Sequence, residues 1–284
     1  MKLISSYRLH GSQFRLSVLH LFLFIGLLFF NSCDKFEYSP YNDNRTGLVE
    51  TNLNRKNIEK LLLNEKNDDD TVTIVYSGDT QRFYKGLHDL VNKVNTMQDV
   101  DLFVVCGDIS DFGLIQEFDW VVRELKRLEV PYVCVIWNHD LAAGSNAIFT
   151  SVFGPVNESF TYKGYKFIMH DTNGREYAFS SDVPDIHWLS KQLNDSSASW
   201  FIGLSHVPPF DMDFNPALEV PYKNLFSSQP AFIASLHGHR HNTSDSYYYE
   251  DHVRYLTSNS AGKSEFLLLK FINGQMSKTI MPVE

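Results

Sequence analysis

The stretch TVTIVYSGDTQRFYKGLHDLVNKVNTMQDVDLFVVCGD, residues 71–108, contains an apolar strand, an amphipathic helix and a second apolar strand. The apolar runs at 71–76 and 101–106 are continuous instead of alternating, which is typical of strands covered on both faces. A second helical pattern at 114–128 and a third apolar run at 131–136 extend the alternation. This order predicts right-handed crossovers and a parallel sheet covered on both faces.

The remainder of the chain is richer in strand patterns. Predicted strands cover residues 160–162, 165–170, 200–205, 231–236, 254–257 and 266–272. Asn273-Gly274 follows the last of them and is a strong signal for a hairpin turn. A helix is predicted at 185–193. We assign residues 71–284 to one α/β domain.

Composition excludes several classes of protein. The 284 residues are 43% hydrophobic, 14% aromatic and 21% charged, which is typical of a globular chain with a sizeable core. The 25 Lys and Arg residues against 34 Asp and Glu give a net charge of -9, and no basic run is longer than a pair. Because nucleic-acid binding needs clustered positive charge, we expect no nucleic-acid platform. The sequence indicates no obligate protein partner.

The first 32 residues have the features of an export signal. Three basic residues precede an apolar run at 16–30, and the segment contains no acidic residue. The following Ser32-Cys33 resembles a bacterial lipobox, in which the cysteine is lipidated and becomes the mature N-terminus. We therefore expect a signal peptide at 1–32 and an extracytoplasmic protein anchored to a bacterial membrane through lipidated Cys33. The alternative is an uncleaved signal anchor with Cys33 as an incidental thiol.

Residues 33–70 are polar and predict a lipid-anchored tether with one short helix near 58–63. The two other cysteines, Cys106 and Cys134, lie in predicted buried strands. We interpret them as inert, small hydrophobic residues.

Polar residues follow the predicted strands at the edge where an open α/β sheet binds its ligands. Asp79, Asp108 and Asn138 follow the first three strands at intervals of 29 and 30 residues, about the length of one strand-helix-strand unit. Three imidazoles follow later strands: His206, His239 and His241. This set offers oxygen and nitrogen ligands without a thiolate, and it exceeds the needs of one tetrahedral zinc. A two-metal site with a shared carboxylate fits the set better.

Five motifs in this order resemble the calcineurin-like metallophosphoesterase family over roughly residues 71–284. They are Asp79-Thr80-Gln81, Gly107-Asp108, Asn138-His139-Asp140, His206 with Val207-Pro208-Pro209, and Gly238-His239-Arg240-His241. The resemblance implies a four-layer α/β/β/α sandwich of two mixed sheets. It also implies a phosphoesterase that uses two divalent metal ions.

The resemblance assigns a role to each motif residue. One metal would be held by Asp79, Gln81, Asp108 and His241, and the other by Asp108, Asn138, His206 and His239. Asp108 would bridge the two ions, and a water or hydroxide between them would be the nucleophile. His139 would stabilise charge or protonate the leaving oxygen, with Asp140 as its orienting partner.

Two residues depart from the family pattern. Gln81 stands where the family usually has a histidine, and its carbonyl is a harder ligand than imidazole. We therefore expect the first site to prefer manganese or magnesium over zinc. The candidate ions for the two sites are Mn, Fe, Zn or Mg, with manganese favoured. Trp137 stands where the third motif normally begins with glycine. For this position we expect a strained turn and an altered pocket wall.

The predicted activity is hydrolysis of a small phosphorylated substrate, either a phosphodiester or a pyrophosphate. Phosphomonoesterase activity, protein phosphatase activity and a catalytically degenerate lipoprotein that acts as a binding module are the alternatives. A simpler interpretation of Asp79 and Asp108 is that they are N-caps of the following helices. His170 and His237 are interpreted as structural residues.

Overall fold

The computed structural model describes residues 50–63, 70–142, 146–179 and 182–284. The predicted signal peptide at 1–32, Cys33 and most of the predicted tether lie outside these residues. Within the described residues, no helix combines the length and the apolar composition needed to span a membrane.

The helices are α1 Leu53–Leu63, α2 Tyr84–Asn95, α3 Ile115–Leu125, α4 Ala147–Val152, α5 Ile186–Leu193 and α6 Glu219–Ser227. The strands are β1 Val72–Ser77, β2 Leu102–Val105, β3 Tyr132–Cys134, β4 Glu158–Tyr162, β5 Tyr165–Met169, β6 Trp200–Leu204, β7 Phe232–His237, β8 Ser244–Ser246, β9 Arg254–Thr257, β10 Glu265–Ile272 and β11 Gln275–Pro282. The sequence patterns located most of these elements. They missed β8, β11, α4 and α6.

The strands form two mixed sheets. The first has the order β11-β10-β1-β2-β3, in which β1, β2 and β3 are parallel, β10 is antiparallel to β1, and β11 is antiparallel to β10. The second has the order β4-β5-β6-β7-β9-β8, with four central strands parallel and both edge strands antiparallel. Asn273 and Gly274 both have positive φ in the predicted hairpin turn.

Three apolar clusters hold four layers together. One lies between the first sheet and the helices on its outer face, including Leu90 and Phe118. The second lies between the two sheets and includes Val104 of the first sheet and Leu236 of the second. The third joins the second sheet to α5 and α6 through Leu189 and Phe226. The predicted α/β/β/α sandwich is therefore confirmed.

Helix α1 lies within the predicted tether but is part of the folded structure. Its residues Leu53, Ile58 and Leu61 are buried in the clusters just described. The Asn54 side chain donates to Cys134 O (2.8 Å) and accepts from Cys134 N (2.9 Å), so it pairs with the free edge of β3. Residues 53–63 therefore belong to the folded domain, because their apolar face has a core to cover.

Candidate metal centre

The predicted ligands follow strands in both sheets. Asp79 and Asp108 come directly after β1 and β2, and Asn138 begins a 3-10 turn, His139–Leu141, after β3. His206 follows β6, and both His239 and His241 follow β7. Since these are carboxyl ends of parallel strands, the loops of the two sheets meet at one edge.

Asp79, Asp108 and His206 form the buried centre of the site. One ligand atom from each lies within 4.8 Å of the others. Asp79 Oδ1 and Asp108 Oδ1 are buried and have no hydrogen-bond partner in the described part of the chain. Burial and the nearby carboxylates of Asp79 and Asp140 raise the pKa of Asp108 well above its usual range. A nearby cation would favour the ionised form of Asp108.

Asn138 and His239 both approach the Nε2 nitrogen of His206. His206 Nε2 lies 2.8 Å from Asn138 Oδ1 and 3.1 Å from His239 Nδ1. The other ring nitrogen of His206, Nδ1, faces Cys106 O at 3.5 Å. Burial, and then the imidazole of His239, lower the pKa of His206 well below its usual value. His206 is therefore held neutral, as metal binding requires.

Gln81 and His241 lie on the Asp79 side. His241 Nε2 is 3.0 Å from Asp79 Oδ2, and this contact raises the pKa of His241. Gln81 N donates to Asp108 O at 2.7 Å. Gln81 is 8% exposed, and its buried Oε1 has no hydrogen-bond partner among the residues described. Three unpartnered oxygens beside imidazole nitrogens are a donor set that suits divalent cations.

His139 lies at the side of this centre, with Nε2 4.0 Å from Asp108 Oδ2. Its Nδ1 is 3.0 Å from Asp111 O and 4.0 Å from Asp111 Oδ1. Arg82 Nε donates to Asp111 Oδ2 at 2.6 Å, so the loop that orients His139 carries an ion pair. Asp111 was missed in the sequence, although a second carboxylate three residues after Asp108 was a usable signal.

The orienting contact expected from Asp140 is absent from the described structure. Asp140 Oδ1 instead accepts from Ser110 N at 2.9 Å and from Ser110 Oγ at 2.6 Å. Burial raises the pKa of Asp140 to about 7. The side chain points into the loop of Ser110, because Asp140 is the second residue of a tight 3-10 turn. Asp140 therefore supports the loop, and Asp111 is the residue in contact with His139.

Trp137 also differs from expectation. It is 0% exposed and is not among the described residues with positive φ, so the strained turn is not present. Its ring stacks on the His206 imidazole, with centroids 4.5 Å apart and an interplanar angle of 17°. Its far edge lies against Gly107, where a Cβ would meet Trp137 Cη2 at 2.2 Å. Trp137 thus supports a candidate ligand from beneath.

The backbone after β7 is unusual. His239 and His241 have φ of 68° and 49°, in the left-handed region that non-glycine residues seldom adopt. Gly238 precedes them, and a Cβ there would meet Cys106 O at 2.0 Å and His206 Nδ1 at 3.2 Å. Only glycine allows this loop to pass so close to β2 and His206. Such strain is common at functional sites.

The capping interpretation of Asp79 and Asp108 is wrong. The N-cap positions of α2 and α3 are Phe83 and Leu114, which lie further along the chain. The structural interpretation of His170 is confirmed, because its ring contacts Ile168 O at 3.0 Å and Tyr222 Oη at 2.8 Å.

Two further carboxylates, Asp211 and Asp213, were not found from the sequence. They lie 3.5 Å from His239 Nε2. They follow the Val207-Pro208-Pro209 motif closely, which was the available signal.

Comparisons with known proteins agree with this geometry. The family model for calcineurin-like phosphoesterases matches residues 72–252. A probable cyclic nucleotide phosphodiesterase of Xenorhabdus bovienii is 26% identical over 51 residues, which is 18% of this chain and 21% of that protein. The chain thus spans about a fifth of this curated relative.

Solved structures share the fold at low identity. A dimetal phosphatase from Danio rerio has a TM-score of 0.62 at 15% identity, covering 75% of this chain and 96% of that chain. A purple acid phosphatase from yellow lupin, Lupinus luteus, has a TM-score of 0.59 at 12% identity, covering 75% and 52%. GAP50, an anchor in the inner membrane complex of Plasmodium, has a TM-score of 0.58 at 14% identity, covering 75% and 85%. With the family model matching most of the folded domain, the chain belongs to the calcineurin-like phosphoesterase family of phosphoric ester hydrolases.

Proposed function

We propose that this protein hydrolyses a phosphodiester or a pyrophosphate with two divalent metal ions, among which manganese is favoured. The observation that carries the proposal is the set of buried, unpartnered oxygens of Asp79, Asp108 and Gln81 beside the His206 and His241 rings. Burying such oxygens without a cation costs several kcal/mol, on the order of 1–3 kcal/mol for each unmade hydrogen bond. Bound divalent ions would offset this cost, which explains why these oxygens are buried together.

Each residue then has a physical task. Asp79, Gln81, Asp108 and His241 would hold one ion, and Asp108, Asn138, His206 and His239 the other. When bound, such ions neutralise phosphoryl oxygens and lower the pKa of water so that it can attack phosphorus. His139 Nε2 faces the same space as Asp108 and donates to the developing charge or to the leaving oxygen. Asp111 holds the other side of that ring.

The preference for a diester or pyrophosphate is tested by the ratio of two rates. The full chain is stripped of metal and reloaded with Mn, Mg, Zn or Fe. Hydrolysis of bis-p-nitrophenyl phosphate is then compared with that of p-nitrophenyl phosphate. We expect activity to return with metal, to be faster on the diester, and to fall at least about 1000-fold in Asp108→Ala. A faster monoester rate would instead indicate a phosphomonoesterase, and no activity without any bound metal would indicate a degenerate binding module.

The proposed metal preference depends on Gln81. Its Oε1 is a neutral, hard oxygen donor, and Gln81→His introduces a softer imidazole in its place. We expect wild-type protein to be most active with manganese and Gln81→His to shift the preference toward zinc. A preference for zinc that survives Gln81→Ala would contradict this assignment.

We also propose membrane attachment through a lipidated Cys33, with the domain in an extracytoplasmic space. The support is the sequence alone: the basic N-terminus, the apolar run at 16–30 and the Ser32-Cys33 pair. The mass of the mature N-terminus tests this proposal. Wild-type protein should lose residues 1–32 and carry acyl chains, whereas Cys33→Ser should remain unacylated.

A further inference from the structure

The two nitrogens of His239 face different surroundings. Nδ1 is 3.1 Å from His206 Nε2, which itself is 2.8 Å from Asn138 Oδ1. Nε2 is 3.5 Å from Asp211 Oδ1 and 3.5 Å from Asp213 Oδ2. Only Nδ1 therefore faces the candidate metal centre, while Nε2 faces two carboxylates. We call Asp211 and Asp213 the loop carboxylates.

The loop carboxylates are fixed by contacts that do not involve His239. Asp211 N donates to Pro208 O at 3.0 Å, and Phe214 N donates to Asp211 O at 3.1 Å, which closes a turn. Asp213 N donates to Asp211 Oδ1 at 3.2 Å. The two carboxylates are thus oriented as a unit by their own backbone.

Two arginines hold the same unit from outside. Arg175 Nη1 donates to Asp213 Oδ1 at 2.6 Å, and Arg175 N donates to Asp213 O at 3.1 Å. Arg240 Nε lies 3.7 Å from Asp211 Oδ2. Each arginine contacts the oxygen that His239 does not use. The remaining oxygen of each carboxylate is therefore left to face the His239 ring.

A neutral imidazole has one proton, and the nitrogen that binds a metal must be the other one. A carboxylate at the far nitrogen holds the proton there and increases the basicity of the ligand nitrogen. We propose that Asp211 and Asp213 are positioning residues that keep the proton of His239 on Nε2 and leave Nδ1 free to bind metal. This inference rests on the proposed function, because it concerns the second of its two metal positions.

The loop carboxylates also restrict the His239 ring at a point where the backbone conformation is unusual. His239 has φ of 68°, so its chain conformation is one that few non-glycine residues adopt. Its side chain is only 16% exposed. The His206 ring lies edge-on to it at an interplanar angle of 86°, and the loop carboxylates lie beside Nε2, so the ring is held from two sides. A ligand held in this way needs little reordering when an ion binds.

The same three side chains suggest a competing explanation. Ligand atoms of Asp211, Asp213 and His239 lie within 4.8 Å of one another, which is close enough to surround a cation. A cation there would require the unprotonated Nε2. The positioning role requires Nε2 to carry the proton. The two explanations therefore predict different metal counts and different tautomers of His239.

The test uses the metal-stripped full chain in calorimetric titration with Mn²⁺, with the bound metal counted by elemental analysis. The variants are Asp211→Asn, Asp213→Asn, the double variant and Asp213→Glu. His239→Gln serves as the variant that removes the ligand. Asp195→Asn is the matched control, because Asp195 is an ion-paired carboxylate bonded to Lys166 Nζ at 2.8 Å, outside the site. Nitrogen-15 spectra of labelled histidine report the tautomer, with the His239 signal identified by its loss in His239→Gln.

We expect wild-type protein to bind two ions and to hold His239 as the Nε2-protonated tautomer. The double variant should bind one ion about 10- to 100-fold more weakly, leave the other unchanged and lose the tautomer preference. Asp213→Glu should restore more of the affinity than Asp213→Asn, and Asp195→Asn should bind like wild type.

If the double variant binds both Mn²⁺ ions with wild-type affinity, the inference is wrong and the proposed function still stands. Three bound ions in wild type, with one lost in the double variant, would replace the positioning role with a further metal site. Wild-type protein that binds no metal would overturn the inference and the proposed function together.

Discussion

At the scale of a single residue, Trp137 connects the apolar core to His206, one of the candidate metal ligands. Its ring is fully buried and lies flat against His206, while its edge fills the space over Gly107. The side chain that replaces a smaller residue of the family pattern therefore occupies the floor of the site. The position and tilt of the His206 ring depend on that floor, since close-packed interiors transmit changes of shape.

Trp137→Ala should lower the free energy of unfolding by about 3–5 kcal/mol, the usual cost of truncating a buried aromatic side chain. It should also weaken metal binding, because His206 loses the ring against which it stacks. Urea denaturation and Mn²⁺ titration measure the two effects. Trp120→Ala is the matched control, since Trp120 is 41% exposed and lies on the outer face of α3. Equal costs for the two variants would contradict the supporting role of Trp137.

Helix α1 and strand β3 show how an element at the edge of a sheet is completed. β3 pairs with β2 on one side only, so its other edge presents unpaired backbone groups. Asn54 bonds both backbone groups of Cys134, and Asn57 Oδ1 accepts from Tyr132 N at 3.2 Å. Two asparagine side chains thus take the place of a neighbouring strand. Asn138 lies four residues beyond the end of β3. Contacts that fix this edge therefore also help to position a candidate metal ligand.

Asn54→Ala leaves the buried N–H and C=O of Cys134 without partners. We expect a loss of about 2–6 kcal/mol in the free energy of unfolding, at roughly 1–3 kcal/mol for each of the two unsatisfied groups. Hydrogen exchange of peptides covering β3 should accelerate in parallel. Glu59→Ala, at an exposed position of the same helix, should have little effect on either measurement. Protection of β3 that is unchanged in Asn54→Ala would show that α1 does not secure this edge.

For the whole molecule, three buried imidazoles make stability depend on pH. Burial lowers the pKa of His170 from 6.5 to about 4. Burial also lowers the pKa values of His206 and His237 well below their usual values. Between pH 4 and 6.5 the unfolded chain binds a proton at His170 that the folded protein excludes, and His206 and His237 act in the same direction below pH 6.5. Stability therefore rises with pH through this window, is complete above the unfolded pKa, and is lost as the solution is acidified.

His170→Gln should remove one such contribution. The shift at His170 corresponds to about 3 kcal/mol between pH 4 and pH 7, at about 1.4 kcal/mol for each pH unit. Urea denaturation across this range should give a shallower slope for the variant than for wild type. His187→Gln, at an exposed position of α5, should keep the wild-type slope. Parallel slopes for His170→Gln and wild type would mean that His170 is protonated in the folded protein.

The resemblance of five motifs to a known family implied the sandwich of two mixed sheets. The residues themselves determined the alternation of strands and helices and the positions of six candidate ligands. This was possible because hydrophobic periodicity is local, and because ligands in this fold follow directly after strands. Asp79, Asp108, Asn138, His206, His239 and His241 were all visible in that way. Motif order then identified the family, which the comparisons confirmed.

Only the tertiary structure decided the contacts between distant parts of the chain. Asn54 and Cys134 are 80 residues apart, Asp111 and His139 are 28 apart, and the loop carboxylates reach His239 from a different strand end. Neither periodicity nor motif spacing encodes such pairs, because each depends on how side chains fill the space between layers. Packing assigned Asp111 instead of Asp140 to His139, placed Trp137 beneath His206 and joined α1 to the domain.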